Sequence, residues 1–367
     1  MAFNNVTYDE NRARIFFRQE LLPEIQDTIF QANPFFAMVV GSLAKGGRQY
    51  SASSEQLATL KGKMGGIKGS TSRLWVEEVI EVDQFSGNVA TGSGGQIISN
   101  TPQETRTKAI WQLTPRFASV ALPTEEYLAA KASVESSGNY DVMSDLLLRE
   151  GEQAYKALFD LCGGEVWGTN TDSESGLISL VNGISTSTEV AGYASYGGQS
   201  SATWASWDGN YSAGTYASIL DNTAASYMDT MLGNAVQTVL FNGADIKDLV
   251  WVFGSSIYGK YRDYLNALYA TGVQTGFRTD PKGGEGLPGW TGLAYTQIPV
   301  MADPHVGAQT ANLIDVSKLK LKALPNALFS MSDWQQSESV TQNFARISFV
   351  GQLITLNRRN NYRIVWS

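Results

Sequence analysis

The stretch from residue 41 to residue 73 constrains the fold more than any other part of this 367-residue chain. It is rich in glycine, serine and lysine, and it holds six basic residues against one acid, Glu55, for a net charge of +5. A segment of this composition buries little apolar surface, so we expect an exposed excursion. Its basic residues are candidates for contact with another molecule: Lys45, Arg48, Lys61, Lys63, Lys68 and Arg73.

Strand-like sequence follows this excursion. Residues 74–82 carry apolar side chains with a period of two, residues 87–96 are a glycine-rich turn, and residues 108–123 are the next strand candidate. Excursion, strand, turn and returning strand together predict a long β-hairpin. Because two strands alone are only marginally stable in water, we expect this hairpin to need a partner surface.

The most regular helical pattern covers residues 141–162, where apolar and small residues recur every three or four positions. The glycine pair at positions 163 and 164 is expected to end this helix. Further helices are predicted at residues 215–232 and 255–270, and further strands at residues 293–301, 345–357 and 362–366. Because helices and strands mix without a regular βαβ repeat, the predicted fold class is α+β.

Residues 183–214 read as a long glycine- and serine-rich loop that carries aromatic side chains. Ordered loops of this length are usually functional, so we expect this one to be pinned down or to contact another molecule. One alternative is a ligand-binding module that uses these aromatics and stays monomeric. The residues concerned are Tyr193, Tyr196, Trp204, Trp207 and Tyr211.

Charge is distributed unevenly along the chain. The formal net charge of −8 argues against a protein that reads nucleic acid through a basic face. Residues 139–240 hold twelve acids against Arg149 and Lys156, for a net of −10. A basic excursion and an acidic middle suit reciprocal contact between neighbouring copies. The alternative is two solvated faces that never meet.

The usual catalytic side chains are scarce, because the chain has one histidine, His305, and one cysteine, Cys162. These residue types supply most nucleophiles, proton carriers and metal ligands near neutral pH. No catalytic or metal-binding arrangement stands out, so we expect no enzymatic activity, no metal and no cofactor. Cys162 is expected to be a small buried apolar side chain, and Asp303 with His305 to belong to a turn.

One stretch resembles a nucleotide-binding motif. Residues 254–261 follow an apolar strand and match the GxxxxGK part of a phosphate-binding loop. Tyr261 stands where a serine or threonine hydroxyl would bind Mg²⁺. A P-loop-like nucleotide-binding protein is therefore one alternative function, and the other interpretation is a helix that Ser255 or Ser256 caps.

Signals for export and for membranes are also lacking in the sequence. No run approaches the roughly 18–20 apolar residues that span a bilayer, and the N-terminus lacks the apolar core of a signal peptide. We therefore expect synthesis in the cytoplasm and no membrane partner.

Taken in order, these elements resemble the major capsid proteins of tailed bacteriophages, which have the Hong Kong 97-type fold. Each motif is short, and the order of the motifs along most of the chain carries the resemblance. The motifs are LLPEIQDTIFQANPFFAMV, GGEVWGTNT, GLISLV, SYGGQSSATWASW, PVMADPHVGAQTANLIDVSKLKL and FARISFVGQLITLNRRNNYRIV.

The resemblance implies a division of the chain into five parts. They are an N-terminal arm (1–40), an extended β-hairpin loop (41–110), a peripheral domain with a long spine helix at 141–162 (111–169), an axial domain (170–335), and C-terminal strands that return to the peripheral domain (336–367). The aromatic loop falls in the axial domain.

The resemblance also implies a function and a set of partners. Many copies would form hexamers and pentamers of an icosahedral shell, the virion capsid, around double-stranded DNA that they do not read. A separate scaffolding protein and a portal are implied as further partners, and a decoration protein on the outside is left open.

Overall fold

The computed structural model describes residues 33–41, 75–82, 105–121, 141–168, 180–186, 195–204, 206–270, 293–332, 335–336 and 343–367, together with positions 125, 129, 132 and 189. The helices are α1 (Pro34–Gly41), α2 (Asp141–Trp167), α3 (Val181–Ile184), α4 (Met228–Phe241) and α5 (Ser255–Ala270). The strands are β1 (Trp75–Glu81), β2 (Arg106–Gln112), β3 (Thr114–Ala121), β4 (Ser195–Tyr196), β5 (Gln199–Ser200), β6 (Asn210–Gly214), β7 (Leu249–Phe253), β8 (Ala294–Tyr295), β9 (Ile298–Ala302), β10 (Thr310–Asp315), β11 (Leu319–Met331), β12 (Gln335–Gln336), β13 (Asn343–Thr355) and β14 (Tyr362–Trp366).

A six-stranded sheet has the order β6-β14-β10-β7-β9-β8. Every residue of β7 and β10 is buried, as the continuous apolar run of β7 leads one to expect. Trp251 and Phe253 of β7 pack in one core with residues of α4 and α5, whereas Val250 and Val252 face a second core. The sheet therefore separates two hydrophobic cores, because successive side chains of a strand point to opposite faces.

A second sheet is built around β13, which pairs antiparallel with β3 along one edge and with β11 and β12 along the other. Helices α1 and α2 cover one face of this sheet. The ring centroid of Phe36 in α1 lies 4.9 Å from that of Phe159 in α2 and 6.2 Å from that of Phe349 in β13. The end of the predicted N-terminal arm is therefore core, and residues 1–32 lie outside the described part of the chain.

The spine helix is longer than predicted. It runs from Asp141 to Trp167, through the glycine pair that was expected to end it at residue 162. A side-chain Cβ at Gly163 would lie 2.6 Å from the side chain of Asn33, just before α1. Gly163 thus allows α1 to approach α2 closely and does not act as a helix stop.

The helix predicted at residues 215–232 is wrong, because α4 begins only at Met228. Hydrogen bonds that involve polar side chains hold the chain before α4 in turns. Asp221 accepts hydrogen bonds from the amide and the hydroxyl of Thr223, and the amide of Thr215 donates to the hydroxyl of Ser226. Such local bonds favour turns over a helix.

Two other elements match their predictions, since α5 covers Ser255–Ala270 and β14 covers Tyr362–Trp366. The strand predicted at 293–301 is instead a hairpin of β8 and β9. Its turn places Thr296 and Gln297 in the left-handed region, with φ of 47° and 70°.

The C-terminal strands divide between the two sheets, in contrast to the single returning unit predicted for residues 336–367. Strand β13 lies in the sheet that α2 covers, whereas β14 lies between β6 and β10 in the six-stranded sheet. The buried indole of Trp366 explains this placement, since its Nε1 donates to the carbonyl of Ser226 at 3.1 Å, beside α4.

Candidate subunit-contact surface

Strands β1 and β2 form an antiparallel two-stranded ribbon with two different faces. Val76 lies opposite Trp111 in the register, and Glu78 lies opposite Ala109. Together with Ile80, these residues form the inner ribbon face, and its apolar members are buried. They pack against Val350 and Ile354 of β13, on the side of that sheet away from α2.

The aromatic loop holds the inner ribbon face in place. The ring of Tyr196 lies 5.5 Å from Trp111 and 6.1 Å from Trp207. Gly197 has a φ of 61°, a Cβ there would lie 2.7 Å from Trp111, and its carbonyl accepts a hydrogen bond from the amide of Ile110 at 3.0 Å. We call Trp111, Tyr196 and Trp207 the aromatic anchor, because they join the ribbon to the body of the subunit.

Buried polar groups complete the aromatic anchor. The hydroxyl of Tyr196 accepts a hydrogen bond from the amide of Thr355, and its burial raises its pKa to about 12. The buried guanidinium of Arg358 lies over the Tyr196 ring and donates to the carbonyls of Trp207 and Ser185, at 3.0 Å and 2.7 Å. These contacts hold the aromatic loop from the interior of the subunit.

The ligand-binding alternative does not fit this arrangement, because Tyr196 and Trp207 are buried and have no open ring face to offer. Trp204 and Tyr211 are half-buried, and Tyr193 lies outside the described residues. Burial, followed by the nearby carboxylate of Glu189, raises the pKa of Tyr211. The described part of the loop is held against the body of the subunit by these contacts.

Glu78 provides a second attachment of the ribbon. Its carboxylate lies 3.2 Å from the ammonium of Lys320 and 2.5 Å from that of Lys322, both on β11. Burial raises the pKa of Glu78, but the hydrogen bonds and charges of the two lysines outweigh that effect and hold it below its ordinary value. The described strands of the hairpin therefore find their partner surface within their own chain.

The outer ribbon face is exposed and carries three large apolar side chains among charged ones. Trp75 is 45% exposed, Val79 61% and Ile110 51%. The cross-strand register places Ile110 opposite Glu77, between Trp75 and Val79, so the three form one continuous patch. Cross-strand ion pairs accompany it, Glu77 with Lys108 at 3.8 Å and Glu81 with Arg106 at 3.2 Å.

This patch is the residue group that the sequence patterns did not single out. Large apolar side chains on both faces of β1 were the available signal, since Trp75 and Val79 alternate with Val76 and Ile80. Single exposed apolar residues are common on monomeric proteins, whereas a continuous exposed patch marks a contact site. Among the described strands, the pairing partner of β1 is β2.

The acidic segment, residues 139–240, carries less unpaired negative charge than its net charge of −10 suggests. Arg116, Arg358 and Arg363 come from outside residues 139–240 and point their buried guanidinium groups at acids of that segment. Among the described residues, ion pairs that involve acids of the segment join Glu150 with Arg149, Glu152 with Lys156, Glu165 with Arg116, Glu189 with Arg363, and Asp208 with Arg358. Much of the charge is thus neutralised inside the subunit. The six basic residues of the excursion lie outside the described residues.

The geometry contradicts the phosphate-loop alternative. Residues 255–261 are the first turns of α5, and the amides of Ser256 and Ile257 both donate to the carbonyl of Ala308, at 3.0 Å and 3.2 Å. The amide of Gly254 donates to Thr310, and the phenol of buried Tyr261 donates to the carbonyl of Ala294. The amides that a phosphate would need are already bonded to the protein.

The scarce reactive residues serve the fold. Cys162 is fully buried, which raises its thiol pKa to about 12. Asp303 accepts from the amides of Phe35 and His305, at 3.3 Å and 2.9 Å, and so caps α1 and closes a turn. Within the described ranges, no three His, Cys, Asp or Glu side chains group as metal ligands, and no helix is long and apolar enough to cross a membrane.

Comparison with known proteins gives a result at the level of structure. No protein-family model and no curated protein matches the sequence. The capsid asymmetric unit of cyanophage A-1(L) is similar in structure, with a TM-score of 0.55 and 16% identity, over 81% of this chain and 89% of that one. The capsid of cyanophage P-SCSP1u gives a TM-score of 0.50 and 13% identity, over 83% and 86%. The chain therefore has the fold of a phage capsid subunit, and the predicted α+β class and capsid-like fold are confirmed.

Proposed function

We propose that many copies of this chain assemble through hexamers and pentamers into the icosahedral shell that encloses the double-stranded DNA of a tailed phage. The observation that carries the proposal is the outer ribbon face. Three large apolar side chains stay exposed there on a ribbon whose other face is fixed to the subunit body. In this proposal the protein is a structural component of the virion and needs neither catalytic activity nor a cofactor.

A second copy stabilises the assembly when it covers this face. About half of each side chain of Trp75, Val79 and Ile110 is still exposed in one copy. Complete burial of such a side chain is worth about 1.5–3 kcal/mol, so covering the remaining half contributes about 1 kcal/mol for each residue. Because each copy in a closed shell repeats the same contacts, small contributions add over the whole particle.

The basic excursion belongs to the same contact in this proposal. It ends at Arg73, two residues before the first residue of β1, so the ribbon fixes the point on the subunit to which the excursion leads. Exposed carboxylates of a neighbouring copy, such as Asp160, are suitable partners for them. The predicted peripheral and axial parts of the subunit would then build the shell wall and the capsomer centres.

The remaining partners follow from the shell role. A separate scaffolding protein would guide curvature, and a portal would occupy one vertex. A net charge of −8 suits a wall that holds DNA without binding it tightly, since DNA affinity depends on basic contacts. A decoration protein would bind from outside.

The test compares wild-type protein with Val79→Asp/Ile110→Asp by size-exclusion chromatography and electron microscopy, with and without co-expressed scaffolding protein. Wild type is expected to form shells, and the variant to remain a folded subunit, because a charge at a buried contact is costly. Gln153→Asp on an exposed position of α2 is the matched control. A wild-type monomer of 39.9 kDa under every condition would contradict the proposal.

A further inference from the structure

A second exposed apolar surface lies at the two ends of α4. At its C-terminal end Phe241 is 80% exposed and Leu240 36%, and Phe241 is the most exposed large apolar side chain of the described residues. At the other end Leu220 is 41% exposed. Leu220 lies beside the first residue of α4, because the amide of Met228 donates to the carbonyl of the adjacent Ile219 at 2.9 Å.

The C-terminal end of α4 is held rigidly. Gly243 has a φ of 93°, its amide donates to the carbonyl of Leu240 at 3.0 Å, and the amide of Ala244 donates to Val239 at 3.3 Å. The side-chain amide of Asn242 donates to the carbonyl of Arg359 at 2.8 Å. A glycine in the left-handed region is the usual way to end a helix, and here it leaves Phe241 on the outside of a fixed turn.

The N-terminal end of α4 is fixed as well. Asp221 accepts from the amide of Thr223 at 3.0 Å and from its hydroxyl at 2.7 Å, which closes the turn that follows Leu220. The amide of Thr215 donates to the hydroxyl of Ser226 at 2.9 Å. Because both ends are ordered by hydrogen bonds, a contact between them would cost little conformational entropy.

The two ends cannot cover each other within one copy. Helix α4 has 14 residues, and at 1.5 Å a residue its ends are about 20 Å apart. Two copies related by a rotation can bring the C-terminal end of one against the N-terminal end of the next, and repetition of that contact closes a ring.

An exposed side chain of opposite charge lies at each end, and at the Phe241 end Asp245 and Asp248 flank the positive one. The exposed carboxylate of Asp221 follows Leu220, whereas the exposed Lys247 lies shortly after Phe241. The neighbouring Asp245 turns its carboxylate back to accept from the amide of Lys247 at 3.1 Å. Lys247 of one copy therefore suits Asp221 of the next.

We propose that a second copy of this chain docks its Leu220 end on the Phe241 end of the first, so that the α4 helices run head to tail around a ring. This contact rests on the proposed shell function and names the surfaces that join subunits within one ring. It is distinct from the outer ribbon face.

Disulfide trapping tests this contact, since the native Cys162 is buried and does not interfere. Assembled Leu220→Cys and Phe241→Cys chains, mixed as two single variants, are expected to give crosslinked dimers on oxidation. The double variant in one chain is expected to give a ladder up to the ring size. Disulfides need Cα atoms about 4.4–6.8 Å apart, so the two positions of one chain cannot bridge. Asn234→Cys, exposed about midway along the same helix, is the control and should not crosslink.

The other outcomes overturn the inference in different ways. Dimers from Phe241→Cys alone would mean that like ends meet, which contradicts a head-to-tail ring. Shells that form normally while the double variant gives no ladder would refute this contact and leave the shell function intact. A protein that neither assembles nor crosslinks would refute both.

A second variant gives an independent readout. Phe241→Ser is expected to leave the melting temperature of the subunit unchanged, because the side chain is already exposed, and to lower the assembled fraction at least tenfold. Phe241→Leu keeps an apolar side chain and is expected to restore most of the assembly. Wild-type assembly of Phe241→Ser would refute the proposal.

Discussion

The inner and the outer face of the β1–β2 ribbon carry similar side chains in different surroundings. Trp111 on the inner face is fully buried among Tyr196 and Trp207, whereas Trp75 on the outer face is about half exposed. Glu78 inside is held by two lysines, and Glu81 outside by one exposed arginine. One short ribbon thus has a face that completes the fold and a face whose large apolar side chains stay about half exposed. Variants that separate the two faces test this distinction.

The largest difference in the free energy of unfolding is expected between alanine variants of the two tryptophans. Trp111→Ala should lower the free energy of unfolding by about 3–5 kcal/mol, because it removes a buried aromatic side chain and leaves a cavity. Trp75→Ala should lower it by about 1 kcal/mol, since half of its surface is already in water. Urea denaturation of the subunit measures both. Equal losses would mean that the two faces do not differ as described.

The two glutamates should show a smaller difference. Glu78→Gln leaves Lys320 and Lys322 without their carboxylate and should lower the free energy of unfolding by roughly 1–2 kcal/mol. Glu81→Gln, the matched control in an exposed pair, should cost at most about 0.5 kcal/mol. A larger loss at Glu81 would contradict the assignment of the inner attachment.

The contribution of Glu78 should also depend on pH. Its pKa in the folded protein is lowered from 4.5, so its stabilising effect is present above pH 4.5 and is lost as the pH falls through the folded-state pKa. The difference in unfolding free energy between wild type and Glu78→Gln should therefore shrink below pH 4.5. A difference that stays constant on acidification would show that the ion pairs do not carry the effect.

The smallest effect on the subunit itself is expected in the basic excursion. Reversal of Lys61, Lys63 and Lys68 to Glu should change the melting temperature little, because the segment is too polar to belong to the core. The same variant should fail to form shells if these residues contact a neighbouring copy, and electron microscopy checks this. A triple change to Arg keeps the charge and is the control. Normal assembly of the Glu variant would refute the electrostatic contact.

Local patterns in the sequence predicted the elements whose signals are local. The strand-period alternation identified β1, and the spacing of apolar residues placed α5 at residues 255–270. The same alternation could not tell which ribbon face is inward, because both faces of β1 carry large apolar side chains. That choice depends on Tyr196 and Trp207, which lie far away in the sequence.

Long-range contacts also explain why some predictions from the sequence were wrong. The glycine pair after residue 162 resembles a helix stop until Asn33 is seen to fill the space that Gly163 leaves. The net charge counted over residues 139–240 could not include Arg358 and Arg363. These residues are more than a hundred positions away in the sequence from Asp208 and Glu189, with which they form ion pairs. The exposed outer ribbon face was missed because exposure is a property of the folded subunit.

The cap on α1 has a consequence for synthesis on the ribosome. The amide of Phe35 donates to Asp303, 268 residues later in the chain, and its helix is buried against strands such as β13 that are translated much later. The apolar residues of α1 therefore lack their final partners until β13 has been translated. Folding that depends on such distant contacts is slow and leaves apolar surface open to aggregation. We therefore expect a subunit to bury the apolar face of α1 late in folding, and to be ready for contact with another copy only after that step.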